Sequence, residues 1–583
     1  MRKALLLVST LGMPLLVASC ACAFLLAVSA KYAESSPGNV DISAITRFWI
    51  AVMDATNGDT NPTGWQRIYQ FLIHLAIAWG AVRIYAAAVG IKLEEWMARW
   101  LLRDHVVVVT GSLVADQAST RTVGKSVALA SELAIALSRR HGVVMCLVNL
   151  DEEHRDLMWS SGVVVVTGAR GVEDLMVRTG GRRAKAVYAL FERNEDNIAV
   201  ANFVLSRTPA SCFCRLSPLD FKQGFDAEDY FDRRLLFRLR PFNEAEWLAR
   251  GLMRAFPPDA LLAAQEDRVH VVLVGIGSIG RAVLLQMARI GHYRSGLKPR
   301  ITIIDQAAGC RWESLRGRYP ALESWVDVAI CESRIEDLDA PRIARILAGP
   351  TPVSGVYIST PGEVANLRLA RLVLGLGVPG ARPVFPVVVM EARPDGVLSD
   401  FQRGSTHSAQ FHVFEPFQRG GEPARDILEG VDDEIARRMH EAYCAKDDAL
   451  RKADPLRGKA EFNRPWAELP ESARNANRMS ADHFEVKLRA VSCRLVRAGE
   501  APEATWSGEE LEVLARMEHA RWWADRTMDG WTRGSRDNAR RRHPDLIPYD
   551  DLEEPVRQLD RDAVLHIVEQ LRLEGWIVAR VTG

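Results

Sequence analysis

A glycine-rich turn is the stretch of this sequence whose residue types and spacing point to a chemical partner. An apolar strand leads into the run Gly-Ile-Gly-Ser-Ile-Gly at 275–280, and a helix-periodic run follows before a second strand. Gly275 permits the tight turn, Gly277 lets a phosphate approach the backbone, and Gly280 lets the helix pack closely on the strand. The amides that begin the helix then face the phosphates. The spacing predicts a site for NAD(H) or another adenine nucleotide.

An acidic residue supports this prediction. Asp305 ends the second strand, 25 residues after Gly280, where a carboxylate can bind the ribose hydroxyls. The alternative is a unit that keeps its turn and binds nothing. We predict no catalytic residue and no metal site, because no Ser/His/Asp set, metal-ligand cluster or carboxylate pair accompanies the loop. The chain is therefore predicted not to be an enzyme, with an NAD-dependent enzyme as the weakest alternative.

Length and composition bound the architecture. A chain of 583 residues is long enough for about four domains. Lysine plus arginine and aspartate plus glutamate both total 74, so no net charge attracts the chain to nucleic acid. The nine cysteines are scattered and form no Cys-x-x-Cys pair, which is typical of reduced thiols.

Residues 1–100 are predicted to form a two-span membrane module. The apolar runs 4–30 and 68–90 are long enough to cross a bilayer. Basic residues precede the first run and follow the second, which places the N- and C-termini in the cytoplasm and the protein in the inner (plasma) membrane. The alternative is a lipoprotein cleavage box at 17–20 that would export the rest of the chain.

The loop between the spans contains Thr56, Asn57, Gly58 and Asp59 after a short apolar segment. The order of span, short helix, glycine turn and span resembles the pore module of two-span potassium channels, over roughly residues 4–90. In that family, filter carbonyls replace the ion's hydration shell. This loop is about two residues shorter than the family filter, so potassium selectivity is not carried over. The resemblance implies a homotetramer; the alternative is a hairpin loop with an Asn-Gly turn.

Two α/β units follow the membrane module. Residues 104–220 and 266–392 alternate apolar strands with helices, which predicts doubly wound, Rossmann-like parallel sheets. In each unit an acid and then an asparagine, Asn197 or Asn366, follow a late strand. Both units resemble the nucleotide-binding RCK or TrkA-N domains that regulate potassium channels and transporters. The resemblance implies that the pair gates the membrane module by closing or twisting around ligands.

The first unit departs from that family at its glycine loop. The segment from Gly111 to Gly124 contains no Gly-x-Gly-x-x-Gly, and Asn149 stands where the strand-terminal acid is expected. We therefore interpret this unit as a scaffold. Between the units, 221–265 is predicted to form connecting helices. The segment 393–460 is predicted to be a linker region or the edge of a domain, with one charged helix.

The segment 461–583 carries several motifs in a fixed order. They are Glu-His-x-Arg-Trp at 518–522, Gly-Trp at 530–531, His-Pro-x-Leu-x-Pro-Tyr at 543–549 and Asp-Arg at 560–561. This series resembles the RyR repeat domain, which is named from ryanodine receptors. The resemblance implies a mainly α-helical domain that senses a small molecule, such as a nucleotide derivative.

Four residues of this segment could hold that ligand. Trp522 and Trp531 could stack a base, while Arg526 and Arg533 could meet phosphates. The alternative is that both tryptophans belong to the core and the arginines form a solvated face.

Two functions therefore remain ahead of an enzyme. The first is a ligand-gated ion channel or channel-like membrane effector whose cytosolic domains sense nucleotide-type ligands. The second is a membrane-anchored sensor that conducts no ions. The outer loop separates them, because a pore requires Thr56 to Asp59 to line an axis with other subunits.

Overall fold

The structure is a computed structural model in which the chain divides into two units, Met1–Leu101 and Leu102–Gly583. It describes residues 98, 100, 102–113, 120–148, 158, 161–225, 230–260, 268–375, 386–390, 411–414, 433–454, 462–469 and 471–581. The predicted spans and the pore-loop residues lie outside these ranges. Within them, no helix combines the length and the apolar character needed to cross a bilayer.

The first parallel sheet is built from short strands that are almost entirely apolar and buried on both faces. Its strands are β1 Val106–Gly111, β2 Val143–Val148, β3 Val163–Ala169, β4 Ala186–Ala189, β5 Ser211–Arg215 and β6 Leu239–Phe242. They lie in the order β3-β2-β1-β4-β5-β6, and each neighbouring pair is parallel. This is the doubly wound Rossmann order, so the predicted fold of the first unit is confirmed.

Helices connect these strands and cover the sheet. They are α1 Thr120–Ser138, α2 Gly171–Arg178, α3 Asn194–Arg207 and α4 Leu219–Gly224. The core of this unit contains Val108 and Met145 from the strands and Leu133 from α1. Burial of such continuous valine-rich strands on both faces is what a parallel sheet between helices requires.

The segment predicted as connecting helices contributes the sixth strand of the first sheet. Residues 239–242 pair with β5 in parallel, and helix α5, Glu244–Ala255, follows with Asn243 as its N-cap. Pro241 has no amide hydrogen to donate, but β6 lies at the edge of the sheet, where a proline is tolerated. The segment 221–265, predicted to form connecting helices, thus contains helix α5 and also strand β6.

The second sheet repeats the first. Its strands are β7 His270–Val274, β8 Arg300–Asp305, β9 Asp327–Glu332, β10 Gly355–Ile358, β11 Val387–Met390 and β12 Phe411–Phe414. The strand order β12-β11-β10-β7-β8-β9 is again the Rossmann order, with parallel neighbours. The helices of this unit are α6 Ser278–Ile290, α7 Ala308–Arg318, α8 Leu322–Trp325, α9 Ala340–Leu347 and α10 Glu363–Gly375. Strand β12 lies in the predicted linker 393–460, which also contains helix α11, Asp433–Ala453.

The two asparagines noted in the sequence have the same structural role. The side chain of Asn197 accepts a hydrogen bond from the amide of Phe191 at 2.8 Å and donates one to its carbonyl at 2.9 Å. Asn366 donates to the carbonyl of Thr360 at 2.8 Å and accepts from its hydroxyl. Each asparagine thus closes the loop that follows the fourth strand of its sheet.

The C-terminal region contains three long helices and two small β-ladders. The helices are α12 Glu471–Ala490, α13 Gly508–Met528 and α14 Glu554–Leu573, and the strands are β13 Cys493–Arg497, β14 Thr532–Arg533, β15 Arg542–His543 and β16 Trp576–Arg580. Strands β13 and β16 are antiparallel, and β14 and β15 are parallel. Short 3₁₀ helices occur at Gly181–Arg183, Arg233–Arg238, Ile335–Asp337, Trp466–Glu468 and Tyr549–Asp551.

The second sheet and the C-terminal helices share one hydrophobic core. Helix α6 contacts α5, α12 and α13, and its residues Val283 and Met287 belong to the same buried cluster as Leu488 and Leu514. Helix α6 therefore lies between the glycine loop at its beginning and the C-terminal region along its side.

Candidate ligand sites

The glycine loop holds its shape through close backbone packing. Gly275 has a φ of +86°, and its amide donates to the carbonyl of Ile304 at 2.9 Å. A Cβ on Gly280 would lie 2.0 Å from the carbonyl oxygen of Gly275. Ser359, from the loop after β10, donates its hydroxyl to that same oxygen at 2.9 Å. Gly275 and Gly280 are thus required by the fold of the turn.

Gly277 differs from Gly275 and Gly280 because there is open space where its side chain would be. A Cβ placed on it would meet nothing within 4 Å. Gly277 is also the N-cap of α6, and no side chain caps this end of the helix. The first amides of a 13-residue helix are therefore left without a side-chain acceptor beside open space. Phosphate oxygens fit such a place, because they accept hydrogen bonds and the helix dipole favours negative charge.

Asp305 lies beside the loop and also helps to order it. Its carboxylate accepts hydrogen bonds from the amide of Ile276 at 3.0 Å and from the amide of Ala307 at 2.8 Å. Arg311 of α7 donates to it at 2.7 Å. The oxygen that faces Ala307 accepts one hydrogen bond from the described residues, and a carboxylate oxygen can accept two. The loop and Asp305 together fit an adenine nucleotide, with Asp305 available to one ribose hydroxyl.

In the first unit, the glycine that directly follows the first strand is packed and not open. Gly111 has a φ of +114°, and a Cβ on it would lie 2.2 Å from the carbonyl oxygen of Val148. Gly111 is therefore a packing residue, like Gly275. Asn149 and residues 114–119 lie outside the described ranges.

A second candidate site lies where α13 meets the β14–β15 ladder. The ring of Trp522 packs edge-on against His543, with centroids 5.0 Å apart, and Trp531 approaches the same imidazole at 6.4 Å. The guanidinium carbon of Arg526 lies 4.9 Å from the centroid of Trp531. Both tryptophans are half-buried. We call Trp522, Arg526, Trp531 and His543 the Trp–Arg pocket.

Comparison with known protein families gives a match for this part of the chain. Residues 506–580 match the RyR domain. The match confirms the resemblance predicted from the motifs, and it contains every residue of the Trp–Arg pocket.

The whole chain has low similarity to solved structures. A crystal structure of GsuK bound to ADP aligns with 15% identity and a TM-score of 0.34, over 74% of this chain and 99% of that chain. A mutant GsuK gives 14% identity and a TM-score of 0.34, over 73% and 98%. A dipicolinate synthase from Bacillus halodurans gives 13% and 0.21, over 56% and 96%. The comparison with curated protein sequences gives no match.

Arg526 carries the positive charge of the Trp–Arg pocket. Burial lowers its pKa, and the nearby Asp525 and Asp529 oppose that effect. Among the described residues, no carboxylate oxygen lies within 4.0 Å of its guanidinium. A partly desolvated guanidinium without a paired anion is suited to a phosphate or carboxylate of a ligand. The adjacent rings of Trp531 and Trp522 are suited to a flat base.

His543 is the pocket residue that the sequence prediction missed. It appears in the His-Pro motif of the RyR resemblance, but a histidine carries no signal of aromatic packing by its type alone. Burial lowers the pKa of His543, so its imidazole is neutral at pH 7. Its Nδ1 lies 3.7 Å from the carboxylate of Asp545.

Arg533 occupies the rim of the pocket. It lies on β14 in register with His543 on β15, and it is exposed. The structure places Trp522, Arg526 and Trp531 near one another around His543 and Arg533 beside them in solvent. Neither tryptophan belongs to the hydrophobic core clusters of this region, which favours the ligand interpretation over the core one.

Proposed function

We propose that this chain is a ligand-gated ion channel or channel-like membrane effector whose cytosolic domains bind nucleotide-type ligands. The observation that carries the sensing role is the open, uncapped start of α6 at Gly277. The membrane role rests on the sequence of residues 1–100. In this proposal, the protein is a homo-oligomer, a tetramer if the pore analogy holds, because two spans from each copy close a pathway only by rotational symmetry.

The second Rossmann unit is proposed to bind an adenine nucleotide such as NAD(H) or ADP. The first amides of α6 would hold its phosphates, and Asp305 would accept from a ribose hydroxyl. In this proposal the nucleotide stabilises one conformation of the protein by binding to it, and it does not take part in a reaction. A ligand shifts a conformational equilibrium only through its difference in affinity for the two states.

The RyR domain is proposed to be the activating sensor. Its Trp–Arg pocket offers a flat aromatic surface and a cation in one place, which fits a ligand that combines a base with a phosphate. Coupling of about 1–3 kcal/mol between such a ligand and the membrane module would change opening about 5–150-fold.

Single-channel recording tests the proposal directly. The full-length protein, reconstituted in planar bilayers, is expected to open or close on addition of ADP or NAD⁺ at the cytosolic side. The Gly277→Ala protein is the matched variant and should lose the part of the response that depends on the glycine loop. Current without a nucleotide response would contradict the sensing role, whereas binding without current would favour the non-conducting membrane sensor. A monomer in detergent at micromolar concentration would exclude the channel.

A further inference from the structure

Helix α6 links the two candidate sites physically. It begins at the glycine loop, and Arg289, its penultimate residue, lies 12 positions after Gly277. Twelve residues of α-helix extend about 18 Å. At that end, the guanidinium of Arg289 forms an ion pair with Asp525 and a second with Asp529, the latter at 2.6 Å. One end of the helix thus faces the nucleotide site, and the other end binds the RyR domain.

The two acids held by Arg289 flank the pocket arginine in sequence. Asp525 directly precedes Arg526, and Asp529 lies two residues before Trp531. Both carboxylates attract the charge of Arg526. Arg289 pairs with both acids, and no carboxylate oxygen of the described residues lies within 4.0 Å of the Arg526 guanidinium. A change in the contacts of Arg289 would therefore change the electrostatic environment of Arg526.

A second contact fixes the same part of α13 to the second Rossmann unit. The indole of Trp325, at the end of α8, donates to the hydroxyl of Thr527 at 2.8 Å. Its ring also packs edge-on against Trp523, with centroids 5.3 Å apart. The segment 523–529 is thus held from the Rossmann side by Arg289 and Trp325 on either side of Arg526.

We propose that nucleotide binding at the glycine loop is transmitted along α6, through Arg289, to the Trp–Arg pocket of the RyR domain. This inference rests on the proposed nucleotide site and specifies its regulatory partner within the chain. Anion binding at the start of α6 shifts or stiffens the helix, and a packed helix responds as one body. The ion pairs of Arg289 with Asp525 and Asp529 then change in geometry. As a result, the strength with which these two acids attract Arg526 changes, and so does the affinity of Arg526 for a ligand anion. Linkage makes the effect reciprocal, so a ligand in the Trp–Arg pocket changes nucleotide affinity by the same factor.

Hydrogen–deuterium exchange on the full-length protein in detergent tests this path, with ADP as the probe. In the wild type, saturating ADP is expected to slow exchange at 275–282 and, by about fivefold or more, at 529–543. In Arg289→Lys, ADP should still protect 275–282 but not 529–543, since Arg289 reaches Asp525 and Asp529 through two separate nitrogen atoms and a lysine has a single nitrogen on a shorter side chain. Asp529→Asn keeps the pair with Asp525, and it serves as the second variant if Arg289→Lys fails to fold.

Arg489→Lys is the matched control. Arg489 of α12 pairs with Asp259 at 2.7 and 3.0 Å, so it also joins the C-terminal region to the preceding segment but touches neither acid beside Arg526. This variant should respond to ADP like the wild type. Protection of 275–282 alone in the wild type would overturn the coupling and leave the nucleotide site intact. Protection of 529–543 that persists in Arg289→Lys would overturn the role of Arg289. Protection of 529–543 that persists in Gly277→Ala would show that ADP binds the Trp–Arg pocket directly and would overturn the coupling. Absence of protection at both segments would overturn the nucleotide site and the coupling together.

Discussion

Lys487 of α12 and Glu518 of α13 form an ion pair in which both side chains are buried from solvent. Glu518 also accepts from Arg521 at 2.7 Å and from Ser480 at 3.3 Å. Burial alone would raise the pKa of Glu518, but Arg521 and Lys487 outweigh it and lower the pKa. One carboxylate thus compensates two buried cations where α12 meets α13.

Removing this carboxylate should destabilise the RyR domain strongly. Glu518→Gln leaves Lys487 and Arg521 buried without an anion, and breaking such a pair costs about 3–5 kcal/mol. Lys487→Met should cost less, because Glu518 keeps Arg521. Calorimetric unfolding of the full-length protein measures both effects. Arg516→Gln breaks an exposed pair on the same helix and should change stability by about 1 kcal/mol or less. Equal effects of the three substitutions would contradict this account.

The start of α13 predicts a specific pH dependence. Ser507 and Glu510 form a capping box, and Arg580 donates to Glu510 at 2.6 and 2.8 Å. The hydrogen bond from Arg580 exceeds the opposing effect of burial and lowers the pKa of Glu510 from 4.5 to about 2. Because the folded-state pKa is lowered, the stabilisation is complete above pH 4.5 and is lost as the pH falls toward 2.

The stability difference between the wild type and Glu510→Gln should therefore shrink between pH 4.5 and pH 2. Ser507→Ala removes the hydroxyl of the capping box and should lower the free energy of unfolding by about 1 kcal/mol. Its cost should depend less on pH, since the hydroxyl does not titrate in this range. Denaturant unfolding at several pH values provides the comparison. If the stability difference between the wild type and Glu510→Gln does not change with pH, the contact with Arg580 contributes no stability.

The sequence predicted the repeated Rossmann plan because its signals are local and strong. Valine-rich strands alternate with helices, and the asparagines that close equivalent loops, Asn197 and Asn366, stand at matching positions. Strands β6 and β12 were missed for a physical reason. Each is an edge strand of four residues, and β6 contains Arg240 and Pro241, which favour loops in isolation. Only pairing with a neighbour makes these segments strands.

The candidate sites were predictable to different extents. Gly277 and Asp305 belong to a spaced motif that depends on backbone geometry, so the sequence predicted that they lie close together. The hydrogen bond from Ile276 to Asp305 was not predictable, because it depends on how the loop closes. The contact of Arg289 with Asp525 and Asp529 joins residues more than 200 positions apart. No local pattern encodes such a pair.

The three glycines of the nucleotide loop should respond differently to alanine. Gly277→Ala has a compatible φ of −73° and open space, so it should leave stability nearly unchanged while weakening ADP binding. Gly280→Ala would place a Cβ 2.0 Å from the carbonyl oxygen of Gly275 and should unfold the unit. Gly317→Ala in α7 also meets open space and should stabilise by up to about 1 kcal/mol. Calorimetry of unfolding and of ADP binding separates these outcomes. Normal ADP affinity in Gly277→Ala would remove the glycine loop as the site.

The Trp–Arg pocket makes the final prediction, which concerns Trp531 and Arg526. Trp531 lies outside the core clusters, so Trp531→Ala should lower the melting temperature little. Arg526→Gln removes a partly desolvated charge and should not lower it. Trp576 is a matched comparison, because Arg497 lies 3.9 Å above its ring while the ring packs against the core. Trp576→Ala should therefore destabilise the RyR domain.

The same substitutions should affect nucleotide binding in the opposite order to their effect on stability. In a Gly277→Ala background, in which nucleotide binding at the glycine loop is weakened, titration with ATP reports mainly on the RyR domain. Loss of a stacking ring costs about 1–3 kcal/mol, so Trp531→Ala should weaken ATP about 5–150-fold, and Arg526→Gln should weaken it and reduce its dependence on salt. The Trp576→Ala protein should bind ATP normally below its melting temperature. If Trp531→Ala instead aggregates without ligand and melts many degrees lower, Trp531 is a core residue and the pocket assignment is wrong.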